Sequence, residues 1–481
     1  MAYRNDSLLT SAQQDTRHLL HPWADLSALG RETPTVIVDA QGTRVTDAEG
    51  RTYLDAIGGM WCVTLGYGRR EIADAIRDQA LRMPFYTPFG AMTNEPAAAL
   101  GARLAELAPG DLKRVHLTTC GSTAVESALR FAHYYFGATG RPHKRHIVTR
   151  GDAYHGSTYL AASISGKAWD RTCFHYDSTI VHHLSSPNPY RRPAGMSVDA
   201  FCASLVDAFC ASLVDEFDAL IAKLGAEQIA CFIAEPILAS GGVIVPPPGY
   251  LAAMRERCRR HDILYISDEV VTGFGRVGHF FASHAHFGIE PDMIVVAKGL
   301  TSGYQPLGAV LISERLVDAV SGEHAYGNGV FTNGFTYSGH PVACAAALAN
   351  IELMERERIC EHVRDVGPYF IRRLDALRRL PIVGDVRGDH LMACIECTSG
   401  AGATGALPTP ADIAIAQRVD RHCEEMGLLV RPYESMCILS PPLTVTRADI
   451  DEICAILAAA LERTQRELAQ HAPVREENET C

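Results

Sequence analysis

Six short apolar runs limit what this chain can become: Val115 to Thr119, Ile147 to Thr149, Ile229 to Ala234, Ile263 to Ser267, Met293 to Ala297 and Ala309 to Ile312. Each is too short for a buried helix, and segments of helical periodicity separate them. Runs that are apolar throughout fit strands covered on both faces, so the expected centre is a mostly parallel sheet between helices. With 481 residues, 47% hydrophobic and 21% charged, there is enough apolar material for one large α/β body and a smaller appendage. Wholesale disorder and a small disulfide-stapled module are excluded.

Residues 1–34 are mixed and polar, with His21-Pro22-Trp23 as their apolar anchor, and read as an arm packed on a larger body. Val36-Ile-Val-Asp, Arg44-Val-Thr-Asp and Thr52-Tyr-Leu-Asp, punctuated by Gly42 and Gly50, read as a small antiparallel meander. These assignments divide the chain into an N-terminal arm and small-domain segment (1–69), a large domain (70–340), a linking helix from Val342 to about Glu357 with a C-terminal α+β domain (341–464), and a polar, frayed tail (465–481). A tandem repeat stands apart: Asp199 to Val206 recurs letter for letter as Asp207 to Val214. Eight residues would rotate a helix face by roughly 80° per copy, so the duplication reads as a lengthened surface helix without chemistry.

Lys plus Arg number 44 against 56 Asp plus Glu, a net charge of −12 that repels nucleic acid and anionic membranes rather than gathering them. The first twenty residues carry charge throughout and hold no apolar core of signal-peptide length, while the longest strictly apolar stretch is Val342 to Ala349, so a soluble cytoplasmic protein is expected. Fifteen cysteines are odd in number and irregularly spaced, and read as reduced core residues. The one C-x-x-C, Cys394 to Cys397, lies in a strand-like segment with no second pair, and no metal site is expected.

Only five of the basic residues are lysines: Lys113, Lys144, Lys167, Lys223 and Lys298. Lys298 follows the run Met293 to Ala297 directly, at the carboxyl end of a buried strand, where open α/β sheets bind ligands. Burial there lowers an amine's pKa and makes it a nucleophile toward carbonyls. Thirty residues earlier another buried run ends in Asp268-Glu-Val270, and a buried carboxylate needs a cationic or donor partner, which a protonated pyridine nitrogen would supply. Earlier still, Val115 to Thr119 runs into Cys120-Gly-Ser122 and a helix start, whose backbone N–H groups suit a phosphate. Lysine, aspartate and phosphate cradle together point to pyridoxal phosphate.

The sequence resembles the class III (omega) aminotransferases of PLP fold type I, from about Val36 to Leu461. The resemblance rests on Gly59-Met-Trp-Cys-Val-Thr-Leu-Gly-Tyr-Gly68, Cys120-Gly-Ser122, Tyr154-His-Gly156, Glu235-Pro236, Asp268-Glu-Val270, Gly273-Phe-Gly-Arg276, Ala297-Lys-Gly299 and Gly334-Phe-Thr-Tyr-Ser-Gly-His-Pro341, in that order. Within the class it is most similar to the amine:pyruvate branch, through the Met60-Trp61 segment, Pro84-Phe-Tyr86, Gly241 to Pro247 and Phe335 to Ser338. The implied fold is a large domain with a mostly parallel seven-stranded sheet, plus a small α+β domain formed by N- and C-terminal segments. The implied assembly is a homodimer with shared active sites, or a tetramer built from it.

The resemblance also implies roles. Lys298 would form the internal aldimine and shuttle a proton, Asp268 would hold the pyridinium, and Val270 and Tyr154 would sandwich the ring. Gly121 and Ser122 would bind the phosphate, with Phe335 and Thr336 beside it and Thr336 coming from the neighbouring subunit. His155 and Glu235 belong to the same shell. Arg431 aligns with an arginine that grips an α-carboxylate and swings out for an apolar amine, as suits its planar fork. Trp61, Phe89 and Ser240 match pocket-wall positions. Two departures are Thr123, where many relatives carry Glu, and the duplicated octapeptide. The expected reaction is ping-pong amino transfer from a primary amine or ω-amino acid to a 2-oxo acid, pyruvate being the expected acceptor. An aminomutase or decarboxylase on the same fold, and a nonenzymatic binding protein, are the alternatives.

Overall fold

The computed structural model describes residues 9–31, 33–191, 203–321, 329–400 and 407–470. Its centre is a seven-stranded sheet of β1 (Leu112–Thr118), β2 (His146–Arg150), β3 (Val181–Leu184), β4 (Ile229–Ala234), β5 (Leu264–Asp268), β6 (Met293–Val296) and β7 (Gly308–Ser313), in the order β1-β7-β6-β5-β4-β2-β3. β7 pairs antiparallel with both neighbours, and the other pairings are parallel. The apolar runs lie within six of these strands. The seventh, β3, escapes the same reasoning because Val181-His-His-Leu184 is an edge strand with two polar residues and only its ends buried. β4, β5, β6 and β7 are buried at every position, as strands covered on both faces must be.

Helix α1 (Gly121–Ala138) lies across the sheet, burying Ala124, Val125, Ala128, Leu129, Ala132 and Phe136. Helix α2 (Ala203–Leu224) takes in the second copy of the repeated octapeptide; the first copy up to residue 202 lies outside the described residues. One face of it is packed inward: Phe209, Leu213, Phe217 and Ile221, four residues apart, pack with Phe232 of β4 and with Tyr250. Each such side chain contributes about 2 kcal/mol of burial, so the duplicated segment is part of the core. Helix α3 (Pro341–Arg356) starts with proline in its first turn and buries most of its length.

The N-terminal meander forms as expected from Ile37–Gln41, Arg44–Asp47 and Thr52–Asp55. Its last strand pairs in parallel with Leu428–Leu429, so segments nearly four hundred residues apart share one small sheet. A second small sheet orders Val383–Asp389, Met392–Cys397, Met436–Leu439 and Arg431–Tyr433, all antiparallel. Cys394 and Cys397 are wholly inside it, as ordinary core side chains. The last helix runs Arg447–Gln470, past the expected start of a frayed tail at residue 465, because Thr464 is buried and Leu468 still reaches the core. Among the described residues no helix is long and apolar enough to cross a membrane.

Candidate active site

The carboxyl ends of the parallel strands converge on one cavity of about 650 Å³. Each functional side chain sits just beyond its strand: Gly121 and Ser122 after β1, Tyr154 and His155 after β2, Glu235 after β4, Asp268 as the last residue of β5, and Lys298 two residues after β6. This is where an open α/β sheet binds ligands, because successive strand ends and helix starts face one crevice.

Asp268 is buried and its Oδ2 lies 2.7 Å from Nδ1 of His155. A carboxylate can only accept, so Nδ1 carries the proton, and Nε2 lies 3.3 Å from the Thr149 hydroxyl. The Val270 N–H donates to the other carboxylate oxygen at 3.1 Å. The neighbouring Glu269 points the opposite way, accepting from the backbone N–H groups of Ala282 and Ser283 at 2.5 and 3.0 Å. The carboxylate pair read in the sequence is therefore divided, one member facing the cavity and the other capping a short helix.

Lys298 is held on a left-handed backbone, φ +40°, at the turn that leaves β6. Burial pulls its ammonium below the usual lysine value against the opposing charges of Asp268 and Glu235. Glu235 is itself pushed up by burial, with the charge of Asp268 adding to the shift and His155 opposing it. Its two oxygens accept from the backbone N–H groups of Tyr154 and Ala239 at 3.0 and 2.9 Å, which makes it a brace for the Tyr154 loop.

At the start of α1, a Cβ on Gly121 would come within 3.1 Å of a Val270 methyl, a close contact that glycine avoids. The first-turn N–H groups of a helix have no intrahelical acceptor and favour an anion. Gly156, at φ +133°, passes so close to Ser122 that a Cβ there would lie 2.5 Å from its hydroxyl. The Ser157 N–H donates to that same hydroxyl at 3.1 Å, joining the two loops across the cradle.

The opposite wall is a strained turn. Asp55 accepts from the N–H groups of Ile57, Gly58 and Gly59 at 2.9, 3.0 and 2.9 Å, and so holds Met60 and Trp61 at φ +80° and +68°. Trp61 is thereby buried in the wall, and Met60 reaches Arg431, whose Nη1 stands 2.7 Å from the methionine sulfur. Ser240 lines the same wall.

Phe89, Phe335 and Thr336 do not reach this cavity. Phe89 and Phe335 line a separate open groove of about 990 Å³ and Thr336 is exposed. Among the lining residues that sequence reasoning did not assign to the site are Pro22 and Trp23 of the arm, whose indole meets Tyr154 edge-on at 5.8 Å, and Lys167. The scarcity of lysines was a usable signal for the last.

The arrangement fits pyridoxal phosphate on its own evidence: a helix start opened by Gly121 for the phosphate, a buried carboxylate for a ring nitrogen, and a buried amine. Sheet order and strand-end chemistry define a PLP fold type I enzyme. The family model for class-III aminotransferases matches residues 27–461, and the chain belongs to that family. It is 35% identical to putrescine–pyruvate aminotransferase of Pseudomonas aeruginosa over 448 residues, 93% of this chain and 94% of that one. Among solved structures, a thermostable (S)-enantioselective omega-transaminase from Thermomicrobium roseum superposes with a TM-score of 0.87 at 38% identity, covering 94% of this chain and 98% of that one. The omega transaminase of Pseudomonas jessenii, in complex with PMP, gives 0.89 at 32% identity, covering 96% and 100%.

Proposed function

We propose that this aminotransferase moves an amino group from a primary amine or ω-amino acid to pyruvate, in two half-reactions on one site. The cofactor is pyridoxal phosphate, which when bound supplies an electron sink for the carbanion left as a donor's Cα–H bond breaks. Lys298 would take that proton on Nζ, for which a burial-lowered amine is suited, and would give it up again on the far side of the donor's nitrogen. Asp268, oriented by His155, balances the ring nitrogen's charge. Gly121 and Ser122 take the phosphate, and Val270 and Tyr154 bound the ring's faces. The observation that carries the reading is the facing of Lys298 and Asp268 across one cavity whose far wall carries Arg431. A guanidinium there, whose side-chain hydrogen-bond partner among the described residues is a thioether, is free to exchange that contact for a carboxylate's two oxygens.

Phe89 and Phe335, on the open groove, and the exposed Thr336 beside them are read as completing the site of a second protomer in a homodimer. Cofactor loading and association are then linked, and stripping the cofactor lowers dimer stability in sedimentation. A fully loaded monomer would sink that assignment. The activity itself is tested by mixing holoenzyme, an amine panel and pyruvate: alanine forms in step with donor loss. Acceptor-independent release of carbon dioxide, or transfer confined to 2-oxoglutarate, would overturn it. Lys298→Ala abolishes turnover, and borohydride reduction that fixes the cofactor to another lysine would refute the role of Lys298.

A further inference from the structure

Lys167 has no part in the chemistry above, yet its side chain is only 4% exposed and lines the active-site cavity. It is held from three sides. Asp170 lies 2.8 Å from Nζ, the Ser240 hydroxyl 3.4 Å, and the Tyr433 ring centroid 3.9 Å. Asp170 does not line the cavity, so the cavity meets the positive end of this pair. An ammonium has three donors; Asp170 and Ser240 offer oxygens to two, while the third side meets only the face of the Tyr433 ring, a weaker partner that a ligand's carboxylate would outcompete. Burial pulls the lysine below its usual value while Asp170 opposes the shift. Arg431 is two residues from Tyr433 on the same strand, so both cations border the same wall. The acidic groups of the cavity are committed elsewhere: Glu235 to backbone N–H groups and Asp268 to His155.

We infer that Lys167, with Ser240, forms a second carboxylate subsite, distinct from Arg431, which favours donors carrying a carboxylate remote from the reacting amine and disfavours diamines. A remote carboxylate gains a charge-assisted hydrogen bond there, whereas a second ammonium meets two cations and no unoccupied acid. The inference rests on the aminotransferase reading and names its donor class, in contrast to a relative named for putrescine.

The test compares kcat/KM of the holoenzyme for an ω-amino acid, a neutral amine and the diamine of equal carbon number, with one acceptor. In Lys167→Gln the ratio of ω-amino acid to neutral amine falls about ten- to a hundredfold, the ratio of diamine to neutral amine rises, and Lys167→Arg restores the first ratio. Because Lys167→Gln strands the buried Asp170 carboxylate, the double variant Lys167→Gln, Asp170→Asn is run beside it and shows the same ratios. Calorimetry with glutarate, an unreactive dicarboxylate, reads the subsite without turnover, and binding weakens about tenfold in Lys167→Gln. Ratios that stay constant while all donors turn over overturn the subsite. Lysine-dependent glutarate binding without transfer to any acceptor would instead overturn the aminotransferase reading and leave the subsite standing.

Discussion

His155 Nδ1 stands 2.7 Å from Asp268 Oδ2, and both side chains are shielded from solvent. The pair fixes the carboxylate's direction before any cofactor arrives, because a second bond from the Val270 N–H holds its other oxygen. Asp268→Asn keeps the shape but not the charge, so turnover falls by at least about a hundredfold while far-UV circular dichroism stays unchanged. Near wild-type turnover would mean that another group balances the ring.

Why this pair was legible in the sequence, and its neighbours were not, has a physical reason. Lys298 and Asp268 each end an apolar run, and the end of a buried strand is readable from the run itself. Gly121 and Ser122 open a helix behind such a strand, with the same consequence. Met60 reaches Arg431 because Asp55 forces positive φ on non-glycine residues, a strain that no pattern in the sequence announces. Lys167 arrives from a loop, and Phe89 and Phe335 line a separate groove while Thr336 is exposed, so none of the three reaches the cavity within this chain. The edge strand Val181–Leu184 and the core-facing duplicated helix were hidden for a simpler reason: polar or repeated residues disguise the period by which burial is read.

Gly156→Ala probes the cradle by crowding alone. At φ +133° an L side chain is strained, and the added methyl group would press on Ser122. A loss of about 1–3 kcal/mol in local conformational energy is expected, read as faster release of the cofactor on dilution, with a smaller change in melting temperature. Unchanged cofactor retention would show that the loop shifts freely.

A second ion pair, remote from the cavity, ties the large sheet's surroundings to the C-terminal hairpin: His286 Nε2 lies 2.6 Å from Asp389 Oδ2, with His279 and His390 crowding the same imidazole. The Asp389 hydrogen bond raises the His286 pKa against burial, while the His286 and His390 imidazoles hold Asp389 well below the usual carboxylate range. A raised histidine stabilises fully below its ordinary value near 6.5, and this is lost as pH rises through the folded value; the depressed aspartate stabilises above its ordinary value near 4. The melting-temperature difference between wild type and His286→Gln is therefore largest near about pH 5.5 and shrinks by about pH 8.5. A difference independent of pH would indicate packing rather than charge.

Arg431→Ala separates the two half-reactions. If the guanidinium exchanges Met60 for the acceptor's carboxylate, its loss removes about 1.5 to 3 kcal/mol of charge-assisted hydrogen bonding, about ten- to a hundredfold in kcat/KM toward pyruvate. An apolar amine offers it nothing to hold, so single-turnover bleaching of the cofactor's visible band by such a donor proceeds near the wild-type rate. The measurement is thus a difference between halves of one cycle. Equal losses in both would make Arg431 a wall residue whose contact with Met60 supports the strained Gly58–Trp61 turn, and pyruvate's carboxylate would then have to be held by Lys167, the other cation on that wall.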